Sequence, residues 1–326
     1  MALDRFGRTI HYLRISLTDH CNLRCLYCMP DDPTFRPNAE LMQDGEILRF
    51  VRIFAGLGFD KIRLTGGEPT IRADVIGLVR GIAQTPGIRS LSMTTNGVLL
   101  SYLAKPLAEA GLKRVNISLD TVDSAKYKRL TRQGDLDSVW AGIHAAEQAG
   151  LAPIKINAVI VRDYNEQDAI ELARLTLQHE WQVRFIEMMP FAGATEFQLS
   201  GGVQADEIKT WIETEFGTLE SLNGGQLEGE ARIFRIPGSQ GTIGFIATVS
   251  KPFCATCSRL RLTADGRLRL CLLRELEIDL LTPLRTGASD IELRQLIQEG
   301  IWEKPWGHLL EENEIPLNRA MSQIGG

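Results

Sequence analysis

All six cysteines of this 326-residue chain fall into two triplets. Cys21, Cys25 and Cys28 lie in CNLRCLYC, and Cys254, Cys257 and Cys271 lie in FCATCSRLRLTADGRLRLC. Thiolates are the usual ligands of iron–sulfur clusters, and a 4Fe–4S cubane has four iron corners. Three protein ligands leave one iron open to bind and activate a small molecule, so two triplets point to two clusters. An even cysteine count also invites disulfides. A chain of this length needs no such staples, and its Met-Ala-Leu-Asp-Arg start lacks the apolar core of a secretion signal. A structural zinc takes four ligands, and neither triplet has an evident fourth. His20 adjoins Cys21, which makes shared tetrahedral ligation awkward.

These residues need a scaffold, and the composition supplies one. Hydrophobic residues make up 44% and charged residues 24%, ordinary globular usage. The length suits one large domain plus an appended piece. A net charge of −5 argues against a nucleic-acid binder, and no apolar run reaches membrane-spanning length. Cytoplasmic localisation is the expectation, in keeping with open thiolate sites.

Short β-rich runs recur at 12–17, 61–64, 90–94, 114–119, 154–161 and 183–187. Between them, apolar residues recur at helical spacing over 46–57, 74–83, 102–110, 138–148 and 166–179. Gly58, Gly111 and Gly150 stand just past helix ends, where a left-handed cap is expected. Repeated strand–helix units mean parallel strands joined by right-handed crossovers. Six units predict an incomplete parallel βα barrel in an α/β fold, with chemistry at the strand C-termini. We take 1–190 as the barrel and 191–326 as a C-terminal α+β region. In the latter, 191–202 reads as a loop, 206–216 as a helix, and 231–236 and 242–249 as strands. Arg259–Leu262 and Arg267–Leu270 read as a hairpin turning at Asp265-Gly266, which returns Cys271 to the side of Cys254 and Cys257.

The C-x3-C-x2-C spacing of the first triplet, with Tyr27 before its last cysteine, resembles the motif of the radical S-adenosylmethionine (SAM) enzymes. Thr65-Gly66-Gly67-Glu68-Pro69 at the end of the second strand resembles that family's SAM-contacting stretch. Alone it is only a turn signal. The resemblance implies that the open iron chelates SAM and that an electron from the cluster releases a 5′-deoxyadenosyl radical. That chemistry is the cofactor's, and the protein positions and shields it.

Nearly the whole chain resembles one branch, the GTP 3′,8-cyclase family of molybdenum cofactor biosynthesis. FGRTIHYLRISLTDHCNLRCLYCMP, KIRLTGGEPTIR, TTNG, VNISLD, VRFIEMMP, the C-x2-C-x13-C segment and the terminal IGG carry the likeness. It implies an incomplete barrel whose open side the C-terminal α+β region covers, and rearrangement of GTP to 3′,8-cyclo-7,8-dihydroguanosine 5′-triphosphate with SAM and two 4Fe–4S clusters. Cys21, Cys25 and Cys28 would hold the SAM cluster. Tyr27, Gly67, Ser118 and Met189 match SAM-contacting positions. Cys254, Cys257 and Cys271 would hold a second cluster facing guanine. Arg14, Arg63, Thr94, Lys155, Arg259, Leu260 and Arg261 match GTP-contacting positions, with Arg72 and Arg184 as further candidates. Arg259, Arg261, Gly325 and Gly326 match positions needed for catalysis. The family further implies an external electron donor, a homodimer, and a downstream cyclic pyranopterin monophosphate synthase that uses the product.

The residues themselves support a polyanion site. Arg14, Arg63, Lys155 and Arg184 all fall on predicted core strands, where unpartnered charge is costly. Each alone could face solvent. Four converging on one barrel interior read better as a polyphosphate site. Arg259 and Arg261 alternate with leucines and so share one strand face. A double-glycine tail is otherwise most simply a frayed end. Two other readings remain at this point. A peptide-modifying radical SAM enzyme usually needs more cysteines than the three left over here. An iron–sulfur sensor needs neither the Gly-Gly-Glu-Pro stretch nor the basic strands. No motif marks residues 191–230.

Overall fold

The computed structural model describes residues 2–30, 32–191, 201–312 and 314–325. The predicted loop at 191–202 therefore falls mostly outside the described residues, as does Gly326.

The six predicted strands form within two residues of their expected ends. They are β1 (Tyr12–Ser16), β2 (Lys61–Thr65), β3 (Ser90–Thr95), β4 (Arg114–Ser118), β5 (Lys155–Val159) and β6 (Gln182–Ile186). Each pairs in parallel with the next. The connecting helices are α1 (Asp44–Gly56), α2 (Val75–Ala83), α3 (Leu100–Glu109), α4 (Ser124–Thr131), α5 (Leu136–Gln148) and α6 (Asp168–Arg174). The expectation lacked α4, and α6 is shorter than the helix read over 166–179, giving way to a 3₁₀ turn at Leu175–Leu177.

Side chains alternate across each strand. One set is apolar and packs under the helices: Leu13 and Ile15, Ile62 and Leu64, Leu91 and Met93, Val115 and Ile117, Ile156 and Ala158, Val183 and Phe185. The other set is polar: Arg14, Arg63, Ser92, Asn116, Asn157 and Arg184. The barrel wall thus supplies the hydrophobic core on its outside and leaves a polar lumen.

The C-terminal part continues the same sheet. Its strands are β7 (Glu220–Ser221), β8 (Leu227–Glu228), β9 (Ala231–Arg235), β10 (Thr242–Ile246), β11 (Arg259–Leu262), β12 (Arg267–Arg269) and β13 (Glu277–Asp279). The sheet order is β8-β9-β10-β6-β5-β4-β3-β2-β1-β11-β12-β13, with β7 beside β9. β10 lies parallel to β6, and β11 parallel to β1. The late segment therefore extends both margins of the six-strand wall. Among the described residues those margins do not pair, so the barrel stays open. The predicted hairpin is β11–β12, with Arg261 opposite Arg269 and Gly266 at φ +69°. A Cβ at Gly266 would stand 2.5 Å from Leu281 Cβ, so glycine is needed there for packing as well. Among the described residues four helices complete the region: α7 (Ala205–Phe216), α8 (Leu281–Arg285), α9 (Asp290–Glu303) and α10 (Met321–Ile324). No described helix is long and apolar enough to cross a membrane.

Candidate active site

The first cysteine triplet lies on the loop that leaves the C-terminal end of β1. Backbone hydrogen bonds shape this loop: Cys28 N and Met29 N both donate to Cys25 O, at 3.0 and 3.1 Å. Arg24 N and Leu26 N donate to the carbonyls of Thr131 and Leu130, so the end of α4 holds the loop from outside. The segment after β2 holds it from inside. Gly67 N donates to Thr18 O at 2.7 Å, and Glu68 N to His20 O at 2.8 Å. A Cβ on Gly67 would stand 2.1 Å from His20 O, which accounts for glycine at that position. The Glu68 carboxylate is fully engaged. It accepts from Thr70 N, Thr70 Oγ1, Thr95 Oγ1 and Asn96 N at 2.5–3.0 Å. This stretch can therefore offer a ligand its backbone but not a free carboxylate.

None of the six cysteines is in a disulfide. His20 Nδ1 lies 2.9 Å from Asp19 Oδ1, and its ring stacks on Phe35. Among the described residues no three His, Cys, Asp or Glu side chains are gathered as a single-metal site. Within the first triplet the sulfurs nevertheless act on one another. Burial raises Cys25 well above its ordinary range, and Cys28 and Cys21 raise it further. Leu23 N–H donates to Cys21 Sγ at 3.3 Å. Three thiols on one short loop, with a backbone donor on one sulfur, are the kind of donor set an iron–sulfur cluster takes. Tyr27 Oη donates to Asp120 Oδ2 at 2.6 Å, tying the loop to the end of β4. Ser118 is the last residue of β4 and stands opposite Asn157 of β5.

The second triplet opens onto the lumen. Cys254, Cys257 and Cys271 line one cavity of about 130 Å³ together with Arg14, Arg63, Thr94, Arg184, Met189, Arg259, Leu260 and Arg261. Cys254 sits in a 3₁₀ turn at 254–256, and Cys271 follows β12. A Cβ at Gly307 would lie 3.1 Å from Cys254 Sγ, so that glycine leaves room at the sulfur. Burial works against a thiolate at Cys257. Lys304 and then Arg259 overcome it and bring this thiol down to about 7. Lys304 is itself buried and donates to Leu270 O at 2.6 Å.

Most of the sequence-derived GTP positions meet in this cavity. Lys155 is buried on β5 but does not line it. Arg184 does line it, donating to Asn157 Oδ1 at 2.7 and 3.0 Å. Arg72 stands elsewhere. Its guanidinium clamps Leu17 O, Met42 O and Asp44, joining the end of β1 to the start of α1. Crowding and burial perturb the cations. Burial first, then Arg14 and Arg259, push Arg261 well below its ordinary range, and burial brings Arg184 down to about 10.

Sequence reasoning missed Glu230, which no motif marks. Its Oε1 accepts from both Arg14 Nη2 and Arg259 Nη1 at 2.8 Å. The tail is docked rather than frayed at Gly325. Its carbonyl accepts from Arg261 Nη1, and at φ +71° a Cβ there would meet Thr65 Oγ1 at 2.3 Å. Arg319 anchors the approach, with paired bonds to Asp265 at 2.9 Å and a further bond to Glu277.

Comparison with known proteins agrees with this geometry. The profile of the radical SAM superfamily matches residues 15–176, and that of Molybdenum Cofactor Synthesis C matches 181–310. The chain is 46% identical over 324 residues to the GTP 3′,8-cyclase of Moorella thermoacetica, covering 99% of each chain. It is 44% identical over 325 residues to that of Gloeobacter violaceus, covering 98% of this chain and 99% of the relative. Among solved structures, SuiB of Streptococcus suis shares the fold at a TM-score of 0.62 and 16% identity, over 98% of this chain and 78% of that one. A chain-long match to curated cyclases, on a barrel with both thiol triplets so placed, shows that the chain belongs to the GTP 3′,8-cyclase family of the radical SAM superfamily.

Proposed function

We propose that this chain rearranges GTP to 3′,8-cyclo-7,8-dihydroguanosine 5′-triphosphate, opening molybdenum cofactor biosynthesis. One observation carries the reading beyond family membership: the second thiol triplet and a group of buried guanidiniums line the same cavity. A base held at the thiols and a polyphosphate held at the arginines would place one nucleotide across the lumen.

In this reading residues 1–190 generate the radical and 191–326 supply the second cluster and much of the GTP site. Cys21, Cys25 and Cys28 would hold the first 4Fe–4S cluster, and Cys254, Cys257 and Cys271 the second. When bound, the first cluster and SAM would supply radical chemistry for hydrogen abstraction at C3′ of GTP. The Gly66-Gly67 backbone, Tyr27, Ser118 and Met189 would border SAM. Arg14, Arg63, Arg259 and Arg261, with Thr94 and Leu260, would orient GTP, and Lys155 would add positive charge from deeper in the lumen. The tail at Gly325 would complete the site by fixing Arg261. These groups contribute mainly by proximity, holding C3′ where the radical forms and C8 where the new bond closes. An external donor supplies the electron. A homodimer and the downstream synthase remain parts of the proposal drawn from the family.

The test is deuterium tracing under anaerobic conditions. With GTP labelled at C3′, deuterium should appear in 5′-deoxyadenosine, and its formation should depend on GTP. An unlabelled product, or formation indifferent to GTP, would remove this function.

A further inference from the structure

The arginine cavity already contains an anion, and it belongs to the chain. Glu230 stands at the turn between β8 and β9, beside one margin of the open sheet. Gly229 before it takes φ +68°, which sets the turn. From there the carboxylate reaches Arg14 on β1 and Arg259 on β11, which lie toward the opposite margin. The ion pairs therefore span the seam where the barrel fails to close. Glu230 is 8% exposed. Burial alone would raise its pKa, but Arg259, Arg14, Arg63 and Arg184 together hold it well below the usual range, so it is anionic at neutral pH. The free space that remains, about 130 Å³, falls short of the roughly 300–1,000 Å³ of ordinary ligand sites.

A phosphate chain and a carboxylate cannot both keep the same two guanidiniums at close range in a buried site, because they repel. We propose that Glu230 is a positioning residue for the polyphosphate subsite. It holds Arg14 and Arg259 together across the seam in the nucleotide-free enzyme, and the incoming triphosphate displaces it. Displacement frees the β8–β9 turn and enlarges the cavity. Binding is then an exchange of one anion for another. A triphosphate wins that exchange readily, while a single phosphate, with fewer oxygens to share among the arginines, competes poorly. This proposal rests on the GTP reading above.

Calorimetric titration of inorganic triphosphate and of orthophosphate into anaerobically reconstituted enzyme tests it. Glu230→Gln removes the competing charge and keeps the shape. The expected result is at least tenfold tighter triphosphate binding, with a narrower preference for triphosphate over orthophosphate. Unchanged or weaker triphosphate binding overturns the proposal. The variant leaves several guanidiniums uncompensated, so hydrogen exchange on the wild-type enzyme gives an independent measure. Amides 227–231 should lose protection when inorganic triphosphate is added, and unchanged or greater protection overturns the displacement. If the wild-type enzyme bound neither inorganic triphosphate nor GTP, the GTP reading itself would fall.

Discussion

The loop carrying Cys21, Cys25 and Cys28 is bordered by carboxylates, whereas the segment carrying Cys254, Cys257 and Cys271 is bordered by cations. At the first, burial raises Cys28 to about 12, with Cys21 and then Asp120 adding to the rise, and it raises Cys21 to about 11 against the Leu23 N–H and Arg24, with Glu68 adding to the rise. At the second, Lys304 and Arg259 bring Cys257 down to about 7 despite burial. The same Arg259 also lines the cavity proposed to hold the polyphosphate. The difference teaches that the second triplet shares its cations with the cavity proposed above for the polyphosphate. Cys21, Cys25 and Cys28 do not line that cavity.

The largest test of this contrast separates the triplets by mutation. Cys25→Ser should abolish SAM cleavage with or without GTP. Cys271→Ser should abolish cyclisation yet retain slow, GTP-independent formation of 5′-deoxyadenosine. Equal loss of both activities in the two variants would show a single structural unit. Next in size is Gly325→Ala. The left-handed backbone and the approach to Thr65 leave no room for a methyl group. Cyclisation should fall by roughly a hundredfold, about 2.7 kcal/mol of transition-state stabilisation, with iron content unchanged. Full activity would mean that the docked tail is dispensable.

Arg261→Ala removes a cation from the cavity and the partner of the Gly325 carbonyl. A charge-assisted contact is worth about 1.5–3 kcal/mol, so kcat/KM for GTP should drop roughly ten- to hundredfold. SAM binding should not change, and unaltered GTP kinetics would place this guanidinium outside the substrate path. The smallest expected effect belongs to Lys304→Met. It should lower iron retention at the second triplet by a few-fold on chelator challenge and leave the first as it was. Equal loss at both sites would erase the electrostatic distinction drawn here.

Much of the scaffold was legible because it is local. Alternating apolar residues and capping glycines located β1–β6, and Asp265-Gly266 located the β11–β12 turn. The cavity arginines were legible because charge at alternate positions of a buried strand has few explanations. What escaped depends on long-range pairing. Nothing in Thr242–Ile246 announces that it will lie parallel to β6, nor in Arg259–Leu262 that it will join β1. Helix α9 did carry a signal, since Ser289 and Glu292 form a capping box. Arg72 was misleading because its side chain serves three backbone and carboxylate partners outside the lumen. Glu230 had no spacing to reveal it. A lone glutamate beside glycine looks like any solvated turn until the fold brings two arginines to it.

The parallel pairing of β11 with β1 has a consequence for how the chain comes to be folded. During synthesis from the N-terminus, β1 is among the first strands made, and the strand that covers its free side is among the last. Until then the nascent sheet presents an exposed, apolar-backed margin of the kind that invites pairing with other chains. Contacts between such distant segments also slow folding, since a long loop must close before they form. The nascent chain is therefore most exposed to misassembly after the six-strand wall has emerged and before the second cysteine segment has left the ribosome.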